Sequence, residues 1–165
     1  MATATVDATQ FKRVMGSFAA SVTVLTSRRR DGHPVGMTAT AFTSVSLDPP
    51  LCLVCVARAS SCLEVFGEAG VLAVNMLRTD QEGLSQRFAV GDVDRRFDGI
   101  DHRRGRATDA PLLRGVMASL EGRVIERWPA GDHDVLLVEV LAAEVNDDAT
   151  PLVYHRGRYA ALREP

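Results

Sequence analysis

The chain has 165 residues, 46% of them hydrophobic, which is enough to bury the core of one compact domain over residues 1–165. Its 19 Lys and Arg residues nearly balance its 21 Asp and Glu residues, so the charge gives no indication of a nucleic-acid partner. The first ten residues contain no secretory signal, and no apolar run approaches the roughly 20 residues of a membrane helix. We therefore expect a cytoplasmic protein that does not enter a membrane.

The N-terminal part of the chain predicts a helix and then a strand that ends in a hairpin turn. Asp7 is a typical N-cap, and the apolar residues that follow it are spaced as on one face of a helix: Phe11, Val14, Met15 and Phe18. Residues 20–27 alternate as a strand does. Arg28–Gly32 predicts a hairpin turn, because Asp-Gly is a strong turn signal.

The most unusual segment covers residues 36–51 and reads GMTATAFTSVSLDPPL. Read as one strand, it places the hydroxyls of Thr38, Thr40, Ser44 and Ser46 on the same face. Core strands usually carry Val, Ile or Leu, whereas small side chains allow a flat ligand to approach the backbone and hydroxyls offer it hydrogen bonds. The alternative is a half-exposed strand in which threonine contributes only its β-propensity.

The middle of the chain predicts two short helices and a long loop. Capping-box patterns at Ser61–Glu64 and Thr79–Glu82 predict two helix starts, on either side of a strand over residues 71–76. Residues 92–111 are polar and show little periodicity, so we expect a long surface loop there.

The C-terminal part predicts two long strands, over residues 117–128 and 135–145, and a short hairpin over residues 152–162. The whole chain then has about eight strands and three short helices, with turn signals at short intervals. This pattern is typical of a mostly β fold, and we predict an antiparallel β-barrel with peripheral helices whose core spans about residues 11–162.

Two places offer polar chemistry outside the hydroxyl-rich segment. Arg58 and the Ser60-Ser61 pair stand where a strand gives way to a helix, so a guanidinium, hydroxyls and free N–H groups predict a phosphate site. The alternative is that Ser61 only caps its helix. His133 lies between Asp132 and Asp134 in a predicted loop, where it would contact a substrate or carry a proton, or else be part of a surface turn.

Several other site classes are absent from the sequence. It contains no Gly-x-Gly, no Gly-x-Ser-x-Gly and no His-Glu-x-x-His pattern. Cys52 and Cys55 lie three residues apart in an apolar strand over residues 51–56, so their sulfurs point to opposite faces and do not hold one metal. We therefore expect no metal site.

Four motifs occur here in the order known from one family: residues 36–51, Ser60-Ser61, Gly131-Asp132-His133, and residues 151–159, which read PLVYHRGRY. From about residue 11 to residue 162, the chain resembles the short-chain NAD(P)H:flavin reductases, the reductase components of two-component flavin-dependent monooxygenases. The resemblance implies an FMN-binding split barrel, usually a homodimer, that uses NADH or NADPH to reduce FAD or FMN. It also implies that reduced flavin passes to a partner monooxygenase.

The resemblance also implies roles for particular residues. His133 matches the family's nicotinamide-side histidine, as the catalytic residue, and Tyr154 or Tyr159 would shape its pocket. Many relatives carry Asn near Thr40, so the polar group that contacts the ribityl chain here is left open. The implied flavin-binding residues are Thr38, Ala39, Thr40, Cys55, Val56, Ala57, Arg58, Ser60, Ser61, Arg87 and Phe88.

Two other functions stay open at this level. One is a tightly bound-flavin oxidase of the pyridoxamine-phosphate type, and the other is a flavin-binding module without catalysis. The sequence distinguishes neither FAD from FMN nor NADH from NADPH.

Overall fold

The computed structural model describes residues 6–162, so both ends of the predicted domain, residues 1–5 and 163–165, lie outside the described residues. The described chain contains three α-helices, one short 3₁₀ helix and twelve strands. The elements in chain order are α1 (Ala8–Met15), β1 (Ala20–Ser21), β2 (Thr23–Arg28), β3 (Pro34–Ala39), β4 (Phe42–Leu47), β5 (Pro50–Ala57), α2 (Ser61–Ala69), β6 (Val71–Met76), α3 (Glu82–Ala89), the 3₁₀ helix (Val93–Arg95), β7 (His102–Arg104), β8 (Pro111–Leu113), β9 (Ala118–Ala130), β10 (His133–Val145), β11 (Val153–His155) and β12 (Arg158–Ala160).

A seven-stranded antiparallel sheet forms the centre of the fold, in the order β3-β2-β6-β9-β10-β5-β4. Its two edge strands, β3 and β4, are consecutive in the chain and are joined only by Thr40 and Ala41. The sheet must therefore curl until its edges meet at this two-residue link. Among residues 6–162 no ladder joins β3 to β4, so the curled sheet is open along this seam, and the predicted mostly β fold with peripheral helices is confirmed.

The hydroxyl-rich segment is thus two strands, and the prediction of one continuous strand was wrong. The Phe42 N–H donates to the Thr40 carbonyl at 3.0 Å and makes a tight turn between the strands. Because β3 pairs with β2 and β4 pairs with β5, the hydroxyls of Thr38 and Ser44 lie on strands at opposite edges of the sheet.

The two longest strands, β9 and β10, make up the hairpin at the middle of the sheet. Alternating side chains of β10, including Leu136 and Val138, are fully buried, as period two requires. Gly122 allows the pair to approach closely, because a Cβ there would lie 2.3 Å from a Val138 methyl and 2.7 Å from the Glu139 carbonyl oxygen. The turn between the strands contains only Gly131 and Asp132, so the prediction of a longer loop including His133 was wrong.

Residues 92–111 are more ordered than the predicted surface loop. They contain the 3₁₀ helix and β7, which pairs with β8. Phe97 is buried and packs edge-on against Phe88 of α3, with ring centroids 5.0 Å apart. One aromatic anchor in a polar stretch gives little periodicity, which explains why the sequence pattern missed it.

The helix starts also differ from the predictions. Asp7 does cap α1, since its side chain accepts from the Gln10 N–H at 2.8 Å. The cap of α2 is Ser60, not Ser61, and α3 begins after Gln81 without a side-chain cap. Of the three helices in residues 6–162, none is long and apolar enough to span a membrane.

Helix α1 leaves its apolar face uncovered. Phe11, Val14 and Met15 are each at least half exposed, and Phe18 beyond the helix is 71% exposed. Leu47, at the end of β4, is 97% exposed. These side chains are the largest departure from ordinary burial in the described chain.

Candidate functional site

A cleft of about 260 Å³ lies between β3, α3 and the β11–β12 hairpin. It brings together five predicted site residues: Thr38, Ala39, Thr40, Tyr154 and Tyr159. Its remaining walls are Val22, Ser85 and Ala89. The side chains from β3 and α3 are all small, so a planar ring can lie close to the backbone there.

Ser85 links three elements around this cleft, and sequence reasoning missed it. Its carbonyl accepts from the Thr38 hydroxyl at 2.6 Å, and its own hydroxyl accepts from the Tyr159 hydroxyl at 2.9 Å. The donor of Thr38 is therefore already used within the protein. Ser85 lies three residues before the buried Phe88 and therefore on the same face of α3. This spacing is the one feature of the sequence that could have predicted an inward-facing Ser85.

Two tyrosines form the aromatic wall of the cleft. The rings of Tyr154 and Tyr159 meet edge to face, with centroids 5.5 Å apart and planes at 66°. Tyr154 is 39% exposed, and Tyr159 is held by its hydrogen bond to Ser85. The wall thus combines one fixed ring with one accessible ring.

The end of β5 continues the site along the seam. The Cys55 N–H donates to the Ala41 carbonyl at 3.0 Å, which fixes β5 beside the link between the edge strands. Ala57 lies opposite His133 in the ladder of β5 with β10. The side chain of Val56 is fully buried in the core, so this residue can border a ligand only through its backbone.

The start of α2 contains both predicted serines in different roles. The Ser60 hydroxyl accepts from the Cys62 N–H at 3.3 Å and donates to the Met37 sulfur at 3.3 Å, so it acts as the cap. Ser61 is exposed, and within residues 6–162 its hydroxyl and N–H form no hydrogen bond with the protein. Free N–H groups at the positive end of a helix favour an anion.

Arg58 is held next to this helix start by a network of charges. Its Nε donates to Asp134 Oδ1 at 2.7 Å, and Arg127 Nε donates to the other oxygen of Asp134, also at 2.7 Å. Arg127 also reaches Glu64 of α2 at 2.8 Å. These hydrogen bonds from Arg58 and Arg127 lower the pKa of Asp134 below its usual value. The outer nitrogens of Arg58 remain available, because its side chain is half exposed.

His133 begins β10, next to the turn. Its Nδ1 lies 2.7 Å from Asp132 Oδ1, and since the carboxylate accepts, this nitrogen donates. The hydrogen bond from His133 is the main cause that lowers the pKa of Asp132. The ring is 42% exposed, which leaves Nε2 available to a ligand.

The side chains of Arg87 and Phe88 both make contacts within the protein. Arg87 Nε donates to the Arg96 carbonyl at 2.7 Å, and its Nη2 donates to the carbonyls of Arg95 and Asp98. The guanidinium therefore holds the loop after the 3₁₀ helix. Phe88 is fully buried against Phe97, so its side chain is not exposed at the surface where it could close the outer edge of a cofactor.

These features fit a flavin phosphate and ring. The small floor of the first cleft suits a planar ring, and Ser61 and Arg58 offer donors that no protein group uses. The three cysteines are free, and burial raises the pKa of each thiol, that of Cys52 to about 11. The raised pKa values disfavour the thiolate form, which is the nucleophilic form of cysteine.

Comparison with known proteins identifies the family of the chain. The family model described as "Flavin reductase like domain" matches residues 15–163. The chain is 41% identical to actinorhodin polyketide dimerase of Streptomyces coelicolor over 94% of this chain and 87% of that protein. It is 40% identical to the flavin reductase (NADH) of Kitasatospora aureofaciens over 94% and 82%.

A solved structure has the same fold. The Streptomyces globisporus NADH:FAD oxidoreductase SgcE6, in complex with NAD and FAD fragments, superposes with a TM-score of 0.89 at 36% identity, covering 95% of this chain and 93% of that one. Other relatives are reductase components of monooxygenases. The chain therefore belongs to the flavin reductase-like domain family.

Proposed function

We propose that this protein is an NADH-dependent flavin reductase that reduces FAD or FMN and releases the reduced flavin to a partner monooxygenase. The observation that carries the proposal is the cleft at Thr38–Thr40, which has a floor of small side chains and a wall of two tyrosines. The hydrogen bond from Cys55 to Ala41 holds the end of β5 beside the link that follows Thr40, and β5 leads to Arg58 and pairs with the start of β10 at His133. When bound, the flavin ring takes a hydride from the nicotinamide, so the cofactors supply the redox chemistry.

The residues of the chain would bind and orient the cofactors. Ala39 and Ala89 permit close approach of the ring, and the exposed Thr40 offers a hydroxyl where many relatives have Asn. Ser61 and the outer nitrogens of Arg58 would hold the flavin phosphate, with Asp134 fixing the direction of the guanidinium. None of these contacts is covalent, which suits a flavin that dissociates after reduction.

His133 would position the nicotinamide. Asp132 fixes its tautomer and ring orientation, so Nε2 is the acceptor that points away from the turn. An acceptor there can take a hydrogen bond from the carboxamide and hold the ring in register for transfer. Hydride transfer itself requires no proton from the protein, so positioning is the whole contribution of this side chain.

We further propose a cytoplasmic homodimer. The first cleft, at about 260 Å³, is smaller than the roughly 300–1,000 Å³ typical of ligand sites. The exposed apolar side chains of α1 and Leu47 would be buried by a second copy that completes the site. Three free thiols suit a reducing compartment.

Steady-state turnover with each pair of FAD or FMN and NADH or NADPH tests the proposal. We expect oxidation of NADH that depends on added flavin. Protein from which gel filtration has removed any bound flavin should show the same activity once free flavin is added. Absence of turnover in all four mixtures would refute it. Flavin that survives gel filtration would favour the tightly bound-flavin oxidase, and flavin binding without NADH oxidation would favour the non-catalytic module.

A further inference from the structure

A second cleft, of about 500 Å³, lies between the end of α1 and the turn of the β11–β12 hairpin. The two elements are joined there by the Arg156 N–H, which donates to the Gly16 carbonyl at 2.7 Å. The lining residues are Lys12, Arg13, Gly16, Ser17, Arg156 and Gly157. Three of the six are cationic and none is acidic.

The charges of this cleft are unusual for this protein. Within residues 6–162, nearly every arginine side chain contacts a carboxylate or a carbonyl, and the four that do not are Arg13, Arg106, Arg156 and Arg158. Three of these four lie on α1 or the hairpin, together with Lys12, the only lysine in the chain.

Helix electrostatics explain only part of this cluster. Lys12 and Arg13 occupy the last turn of α1, where the helix dipole favours cations. Arg156 and Arg158 belong to a hairpin, where no such dipole exists. Arg156 also holds a left-handed backbone angle, with φ of 51°, that any non-glycine residue adopts at a cost. Lys12 has an acidic neighbour in Asp132, but Arg13 and Arg156 have no acidic partner among residues 6–162. Cations placed in this way repel one another unless an anion binds.

The cleft lies beside the proposed redox site. Arg156 is two residues from Tyr154, a span of at most roughly 7 Å, so one hairpin contributes to both clefts. On its other side, the charge of Lys12 acts on Asp132, the partner of His133. A molecule with its ring at the tyrosines therefore has a cationic cleft within reach of its phosphates.

We propose that this cationic cleft binds the phosphate on the adenosine half of a dinucleotide. The inference rests on the proposed function, since the ring of the same dinucleotide would occupy the first cleft. Guanidinium groups bind phosphate through paired N–H donors, and the lysine adds a compact charge. This phosphate belongs either to the nicotinamide dinucleotide or to FAD, because both carry the same adenosine monophosphate half.

Titration calorimetry with ADP-ribose tests the cleft without any redox step. The test variant is Lys12→Gln with Arg156→Gln, and the matched control is Arg106→Gln, which removes an equally unpaired arginine from the β7–β8 loop. Loss of two exposed charge contacts should weaken ADP-ribose binding roughly five- to tenfold. The control should bind as the unchanged protein does. Equal affinity in the double variant, or no binding by the unchanged protein, would overturn the inference.

Kinetics then identify the source of the phosphate. If the cleft serves the nicotinamide dinucleotide, the double variant raises KM for NADH but not for reduced nicotinamide mononucleotide. If it serves FAD, KM rises for FAD but not for FMN. A similar rise for the mononucleotides would indicate general damage and would contradict the inference. A protein that binds ADP-ribose through these cations but shows no turnover would refute the proposed function and leave the binding role of the cleft intact.

Discussion

Glu121 is a buried carboxylate that organises a loop, and its replacement by glutamine gives the sharpest test of the structure. Glu121 lies in β9 and is only 3% exposed. Its Oε1 accepts from the Arg106 N–H at 3.0 Å. Its Oε2 accepts from the Ala107 and Thr108 N–H groups at 3.0 and 2.8 Å, and from the Thr108 hydroxyl at 2.9 Å. Four donors thus converge on one negative charge.

Glutamine preserves the shape of this side chain but not its hydrogen bonds. Its oxygen can keep the three donors at Oε2, while its NH₂ group faces the Arg106 N–H, donor against donor. The lost bond costs about 1.5–3 kcal/mol, and each of the other three weakens by roughly 1 kcal/mol as the charge disappears. The easier desolvation of an amide offsets part of this sum. We expect Glu121→Gln to lower the free energy of unfolding by about 2–4 kcal/mol.

Urea denaturation of the two variants Glu121→Gln and Glu126→Gln measures this effect. Glu126 is an exposed glutamate of the same strand without a hydrogen-bond partner in residues 6–162, so it controls for the charge change alone. A loss of about 3 kcal/mol corresponds to a fall in Tm of roughly 6–12 °C for a chain of this size. Surface substitutions ordinarily change the free energy of unfolding by no more than about 0.5 kcal/mol. If the free energies of unfolding of the two variants differ by less than that, Glu121 does not stabilise the loop as described.

Three further predictions follow from the site and the surface. Because we propose that His133 contacts the nicotinamide, His133→Ala should raise KM for NADH or slow hydride transfer about tenfold, while flavin binding measured by fluorescence stays unchanged. A change in flavin affinity alone would contradict this role. Asp134→Asn should destabilise the protein at neutral pH but not in acid. A carboxyl group whose pKa is lowered on folding stabilises the folded state at pH values above its unfolded pKa of roughly 3.9, and this contribution is lost as the pH falls through the lower, folded pKa. A difference between the two proteins that does not shrink in acid would show that the ion network is unimportant. Leu47→Glu should convert the proposed dimer to monomer in analytical ultracentrifugation, and an unchanged mass would remove this residue from the interface.

The sequence predicted the parts of the site that depend on local pattern. Thr38, Ala39 and Thr40 are consecutive in the sequence, and the two tyrosines lie in one short hairpin. The order of the family's motifs was therefore enough to predict that these two groups line the same cleft. The mostly β fold likewise followed from alternating runs and turn signals. These features are encoded within a few residues of one another.

The features that the sequence missed depend on distant contacts. The break at Thr40–Ala41 arises because the sheet curls until its edges meet, and period-two alternation contains no information about that curvature. The resemblance implies that Arg87 and Phe88 border the cofactor. In the structure, Phe88 packs against Phe97, and Arg87 donates to the carbonyls that follow the 3₁₀ helix. The role of Ser85 required knowing which elements face it.

The helix caps show a subtler limit. Ser60 and Ser61 both satisfy the preference for a capping hydroxyl, and only Ser60 adopts the extended backbone that a cap needs. Because Ser60 serves the helix, Ser61 is left with an unused hydroxyl and N–H. A shift of one residue therefore decides which serine stabilises the fold and which is available to a ligand.

The β11–β12 hairpin spans only residues 153–160, yet it borders both clefts. It is joined to the rest of the molecule by its pairing with Ala20 and Ser21, by the buried side chain of Val153, and by the hydrogen bonds of Tyr159 and Arg156. Because one short hairpin lines both clefts, we expect that exchanging these eight residues between homologues changes two preferences at once. These are the preference for the ring that binds at the tyrosines and the preference for the phosphate group that binds at the cationic cleft.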